Sequence, residues 1–185
     1  FMEIPIARVP GNDSRLPFGY GMNVANIILP HRHKGREGFI VIENRDKLGR
    51  KALIGGKVES LQGLDSASID CVSCVVQEGT EEIGVPILPV SIIGSALTPL
   101  DVLHPGAQSA INGRNSILST CFLARARNPR QLDEAIEDPG KYIQEPDKIA
   151  GIYFLPTDEF AAVVQNGQLR TPDMSPLSRL FLNGA

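Results

Sequence analysis

No stretch of this sequence approaches the roughly 18 consecutive apolar residues that a bilayer-spanning helix needs, and no leader pattern opens it, so a cytoplasmic chain with no membrane role is expected. A basic excess is missing too. Lys and Arg number 18 against 21 acids, a formal net charge of -3. That balance offers no electrostatic footprint for nucleic acid or an anionic membrane. Cysteine is scarce: Cys71, Cys74 and Cys121 are the only three. An odd count without a leader argues against a disulfide framework and for a reducing compartment. Cys71-x-x-Cys74 is half of a zinc site and falls inside an expected helix, where Cys74 packs as a small hydrophobe. Internal repeats and low-complexity segments are absent as well.

At 185 residues the chain is long enough to bury its own core, and one domain over 2–185 is expected. Phe1 reads as a tag remnant. Residues 1–20, rich in proline and glycine, read as an irregular arm. A strand is expected over 23–29, stopped by Pro30, then a basic turn over 31–36. The short apolar run 39–42 is the clearest strand, of the kind buried on both faces. A turn over 44–49 leads to a strand over 51–54 that runs into Gly55-Gly56. After a loop over 60–64, Ile69, Val72, Val75 with Val76, Gly79 and Ile83 recur at helical spacing. They predict a helix over 66–83 closed by Gly84. Strands are expected over 90–97 and 117–124, flanking a long Pro/Gly loop, and a short acidic helix or loop over 129–138. A strand over 149–155 leads to a helix through Val164 with Thr157 as N-cap, and residues 176–182 close the chain as a helix.

The chemistry concentrates on Glu78, Glu81 and Glu82. Positions i, i+3 and i+4 share one helix face, so the three carboxylates converge. Converging acids raise one another's pKa unless a cation sits between them, and Mg²⁺ is the natural hard cation for carboxylate oxygens. Taken alone, such a cluster is more often a solvated helix face. Two features weigh against that: the upstream run Gly55-Gly56-Lys57-Val58-Glu59, and Gly79, a mid-helix glycine that costs about 1 kcal/mol and wants a packing or functional reason.

Together, residues 55–85 resemble the Nudix box, the signature of hydrolases that cleave a nucleoside diphosphate linked to another group. The opening Gly-Gly-Lys-Val-Glu matches residue for residue, and Glu78 to Val85 matches the second half, with Gly79 in the usually apolar slot. Gln62 stands where the first box Glu is expected and Gln77 where the Arg is expected. Twenty residues (57–76) separate Gly56 from Gln77, seven more than in the pattern, and are best placed as a longer loop plus an added helical turn.

The resemblance implies an α/β fold, the Nudix-type α/β/α sandwich with a mixed β-sheet. It implies a Mg²⁺- or Mn²⁺-dependent pyrophosphohydrolase with Glu78, Glu81 and Glu82 as metal ligands and catalytic groups. The carbonyl of Gly56, or else of Gly55, is a further metal ligand in that reading. A general base outside the box is expected from Glu145-Pro146-Asp147, with Glu145 as the candidate. His104-Pro105-Gly106 lies roughly where ADP-ribose-hydrolysing members carry a proline-glycine element, so ADP-ribose or a related sugar nucleotide is the preferred substrate class, with Gly106 and Arg114 as substrate contacts. Nucleic acid and membrane are not expected partners, and a homodimer is the default assembly. Gln62 and Gln77 supply no charge, so the alternative is a catalytically impaired Nudix-fold nucleotide-binding or interaction module. Finally, His31-x-His33 has the spacing that points both rings one way. With Arg32, Lys34 and Arg36 it reads as an exposed turn or phosphate-facing positives, and metal binding is the less favoured alternative.

Overall fold

The computed structural model describes residues 20–47, 49–58, 71–99, 116–166 and 168–170. The expected N-terminal arm, the 60–64 loop, the first turn of the box helix, the closing helix and the positions of Gln62, His104, Gly106 and Arg114 lie outside these residues.

The sheet is built around β1 (Tyr20–His33). Its first half pairs in parallel with β6 (Ser116–Ala126) on one side and antiparallel with β4 (Ile54–Lys57) on the other. Its second half pairs antiparallel with β2 (Arg36–Asn44) across a two-residue turn, Lys34-Gly35, in which both residues have positive φ. Such turns match the natural twist of paired strands. β5 (Ile87–Pro99) pairs with β6, and β7 (Ile149–Pro156) pairs with β2. The short strands β3 (Lys51–Ala52) and β8 (Leu169–Arg170) complete a mixed sheet.

Alternation along the strands sorts side chains to two faces. Ala25, Ile27 and Leu29 of β1 with Ile40 and Ile42 of β2 face α1 (Cys71–Ile83) and α2 (Pro129–Glu137). Ile28 and Val41 face the other way, against Phe160 and Val164 of α4 (Thr157–Gln165). A short α3 (Pro139–Tyr142) follows α2. Two apolar clusters on opposite sheet faces make the α/β/α sandwich that the sequence implied, and they explain why 39–42 is apolar without a break.

Local chemistry sets the element ends. α2 begins at Asn128, whose side chain accepts a hydrogen bond from the Arg130 N–H at 3.1 Å, with Pro129 at the first helical position. α1 is closed by Gly84, φ +63°, whose N–H donates to the Thr80 carbonyl at 3.0 Å. Gly79 has a packing reason: a Cβ there would lie 2.5 Å from Ile87 Cγ1. Cys74 is buried in the core between α1 and the sheet, as expected.

Four expectations are corrected. Pro30 does not stop β1, which continues to His33. Beyond Ile28 the pairing with β6 has ended, so β1 has one partner strand there and a residue facing the vacant side needs no N–H. Residues 31–36 are not an exposed turn, because His31 is buried and only Lys34 and Gly35 form the turn. Thr157 is the first residue of α4 rather than its cap, and its hydroxyl donates to the Glu37 carbonyl at 3.2 Å. Val76 is exposed, since the apolar stripe of α1 turns inward through Val75 instead. The turn expected over 44–49 contains a 3₁₀ turn at Arg45–Lys47, whereas β8 and the short α3 have no counterpart among the expected elements. They are two and four residues long, too short to carry a periodic signal.

Candidate active site

α1 lies across the end of β4, so the double glycine meets the helix acids directly. Glu82 is 7 % exposed, and its Oε2 accepts a hydrogen bond from the Gly55 N–H at 2.8 Å. Glu78 presses against Gly56 so closely that a Cβ there would stand 1.9 Å from Glu78 Oε1. A side chain at that position would displace the Glu78 carboxylate, which occupies the space it would take. Burial pushes the Glu82 carboxyl up to about 8. The Gly55 N–H opposes this, the neighbouring charges of Glu78 and Glu145 add to it, and Lys148 offsets a little.

Glu81 is held differently. The Gln77 side-chain amide donates to Glu81 Oε1 at 2.8 Å, one helical turn away. Gln77 therefore orients a box glutamate through a hydrogen bond while adding no charge. The Glu81 carbonyl accepts from the Gln144 N–H at 3.1 Å, which draws the loop after α3 onto the end of α1.

That loop brings a second set of charges. Lys148 Nζ pairs with Glu145 Oε1, and the side chain of Glu145 is 25 % exposed. The ion pair raises the Lys148 pKa, and the charges of Glu78 and Glu81 raise it further. Lys148 thus stands as a counter-charge to the helix acids. Backbone bonds lock the loop: the Glu145 carbonyl accepts from the N–H groups of Lys148 and Ile149 at 3.0 and 2.9 Å. From the 3₁₀ turn, the Arg45 N–H donates to the Lys148 carbonyl at 2.8 Å, and its guanidinium donates to the Pro146 carbonyl. Between these segments lies an open cleft of about 340 Å³, lined by Asn44, Asp46, Glu82, Asp147, Lys148 and Ile149.

The donors are of the type a hard divalent cation takes: carboxylates from α1 and from the 145–148 loop, with the Gly55-Gly56 backbone packed against two of them. They do not draw together into a closed set, since among the described residues the side-chain donors that lie three together within 4.8 Å are those of His31, His33 and Asp133. Oxygen donors of this kind are what Mg²⁺ or Mn²⁺ takes.

A separate cluster lies at the far end of β1. His31 Nε2 and His33 Nδ1 each lie 2.8 Å from the same atom, Asp133 Oδ1 of α2. Burial works to raise the Asp133 carboxyl, but the hydrogen bonds of His33 and His31 outweigh it and hold it below the ordinary aspartate range. The ring of Phe154 meets His31 edge-on at 6.4 Å and His33 at 5.4 Å between centroids.

Of the sequence-derived candidates, Gly56, Glu78, Glu81, Glu82 and Glu145 stand in one neighbourhood. Gly106 and Arg114 lie outside the described residues. Asn44, Asp46 and Lys148 line the site and were not singled out. Asp46 sits in a polar turn, where charge is the norm, and only Lys148, one turn after Glu145, carried a local cue in its pairing distance.

No family model and no curated protein matches the chain. Solved structures do. A NUDIX hydrolase from Nitrosomonas europaea superposes with a TM-score of 0.55 at 15% identity, covering 88% of this chain and 89% of that one. A MutT protein from Methanosarcina mazei Go1 gives 0.51 at 14% identity, covering 91% and 97%. An Ap4A hydrolase from C. elegans gives 0.50 at 12%, covering 89% and 99%. At such identities the likeness is one of fold. The chain has the Nudix fold, with the box-like segment where β4 meets α1.

Proposed function

We propose that this Nudix-fold chain is a Mg²⁺- or Mn²⁺-dependent hydrolase that cleaves the pyrophosphate of a nucleoside diphosphate derivative. The observation that carries the proposal is the buried Glu82 carboxyl, fastened by the Gly55 N–H beside Glu78 and Glu145. Burying a carboxylate among other carboxylates is costly, and a structural role gives no return for it. Glu78, Glu81, Glu82 and the Gly56 carbonyl would hold the metal. When bound, the metal neutralises phosphate charge and lowers the pKa of a water molecule.

The chain's own residues supply the rest. Gln77 fixes the rotamer of Glu81. The Gly55 N–H fixes Glu82. Lys148 orients Glu145 Oε1, placing the Glu145 carboxylate as the acceptor for the proton of the attacking water. The cleft beside Asp46 and Asp147 is where the diphosphate would approach. Within this reading, ADP-ribose and related sugar nucleotides are the substrates to test first, with Gly106 and Arg114 as their contacts. A cytoplasmic setting goes with it. Among the described residues, no helix is long and apolar enough to cross a membrane.

The test is incubation with Mg²⁺ or Mn²⁺ and a panel of nucleoside diphosphate derivatives, following phosphate released by a coupled phosphatase. Glu81→Gln and Glu82→Gln are expected to lose at least about 100-fold of the turnover, as for loss of groups that position charge at a reacting centre. Turnover that survives in both variants overturns the assignment. Metal-dependent nucleotide binding without turnover makes the protein a binding module instead, one in which the uncharged Gln77 no longer supports catalysis.

A further inference from the structure

His31 and His33 sit two residues apart on β1, so both rings leave the same face of the strand. α2 lays Asp133 across them. The three donor atoms, His31 Nε2, His33 Nδ1 and Asp133 Oδ1, lie within 4.8 Å of one another. The side chains of the two histidines are 7 % and 12 % exposed, against 43 % for Asp133. Two ring nitrogens and one carboxylate oxygen therefore converge on a point walled by apolar structure on one side and open to water at the aspartate.

We propose that His31, His33 and Asp133 form a second metal site, specific for Zn²⁺ or a similar borderline divalent ion, that clamps α2 to the β1–β2 hairpin. Imidazole nitrogens suit Zn²⁺, Co²⁺, Ni²⁺ or Cu²⁺, whereas Mg²⁺ takes oxygen donors, so this site and the box acids select different ions. A tetrahedral Zn²⁺ about 2.0–2.2 Å from each donor sets the donors roughly 3.3 Å apart. The two 2.8 Å contacts to Asp133 Oδ1 need to open by only a few tenths of an ångström. Phe154, packed on both rings, restricts their rotation and so holds them near the geometry of the bound state. His31 also lines an open cleft of about 390 Å³ with Arg125 and Arg127, from which water can fill the fourth position. The inference is independent of the hydrolase reading, since no box residue takes part.

The experiment strips the full chain with a chelator and titrates Zn²⁺ by competition with a chromophoric chelator. A parallel Co²⁺ titration reads the ligand-field absorption in the visible. The background is the Glu78→Gln, Glu81→Gln, Glu82→Gln, Cys71→Ser, Cys74→Ser variant, which removes the proposed carboxylate ligands of the box and the cysteine pair. One equivalent of Zn²⁺ is expected to bind, raising Tm by several degrees at excess metal. Co²⁺ is expected to give the intense bands of a low-coordinate site. His33→Ala or Asp133→Asn in that background should weaken binding at least about 100-fold, the upper end of what even outer-sphere losses cost. Asp133→Asn keeps a side-chain oxygen to accept from the histidines, so an unchanged circular dichroism spectrum separates lost metal from lost fold. If the background variant itself is unfolded, the same titration in the wild-type chain with Asp133→Asn as its only comparison decides the matter. Absence of stoichiometric Zn²⁺ binding, or binding unchanged in His33→Ala and Asp133→Asn, overturns the site and leaves Asp133 as a shared hydrogen-bond acceptor.

Discussion

A methyl group added at Gly56 would land 1.9 Å from Glu78 Oε1, the tip of a flexible side chain. The carboxylate can swing aside, so Gly56→Ala is expected to fold with a Tm within a few degrees of wild type. Its turnover in Mg²⁺ should fall by about tenfold or more, because the displaced group is a proposed ligand. A thermal melt and an activity assay on one preparation check both halves. Glu82 supports a second prediction at this scale. Its folded-state pKa of about 8 lies above the ordinary glutamate value of 4.5. Between those values the folded state binds the proton more tightly than the unfolded chain does. In metal-free protein this contribution to stability is therefore complete below about pH 4.5 and is lost as pH rises through 8. Tm in chelator should fall across that window by more than in Glu82→Gln, which has no such proton to release. A wild-type profile as flat as that of the variant would show that the carboxyl is not desolvated.

Among the elements, α4 and α2 serve different ends. α4 covers the sheet face opposite the site and is anchored by Phe160, which is fully buried and stacked near Phe39 at 4.4 Å between centroids. Phe160→Ala is expected to cost about 3–5 kcal/mol by denaturant unfolding, while kcat of the folded fraction stays within about twofold. α2 carries Asp133 and is capped by Asn128. Asn128→Ala should cost only about 1 kcal/mol. The helices show how far periodicity reaches. α1 was legible because Val75, Gly79 and Ile83 repeat at helical spacing over a long window. The start of α4 was misread by one residue, because Thr157 satisfies a carbonyl of the β1–β2 hairpin rather than its own helix, a contact that no local pattern contains.

Across the whole molecule, the proposed site draws on three segments far apart in the chain: β4, the end of α1, and the 145–148 loop. A cation bound among them should slow amide exchange over 54–57, 71–83 and 144–148 together, in wild type but not in Glu82→Gln. Protection confined to α1 would mean that the loop takes no part. The register of the sheet is what makes this possible. β1 pairs with β4 on one edge, and β2 pairs with β7 on the far side. The loop that precedes β7 is thereby carried back to the helix that follows β4.

What the sequence determined by itself is what short-range physics encodes. Alternation and helical period set the strands and helices, double glycine opens a space, and acids at i, i+3 and i+4 share a face. Those cues, joined in the right order, carried the resemblance that implied the sandwich, and they put Gly56, Glu78, Glu81 and Glu82 forward as the candidates that the proposed function rests on. The tertiary structure alone decided which charges meet those acids, because Asp46 and Lys148 reach the site through pairing between strands, not through any interval along the chain. It also decided the environment of His31 and His33. Their spacing was visible, but the basic residues around them suggested an exposed turn. Only the packing of Asp133 and Phe154 from distant elements buries the two rings and gives them a common partner.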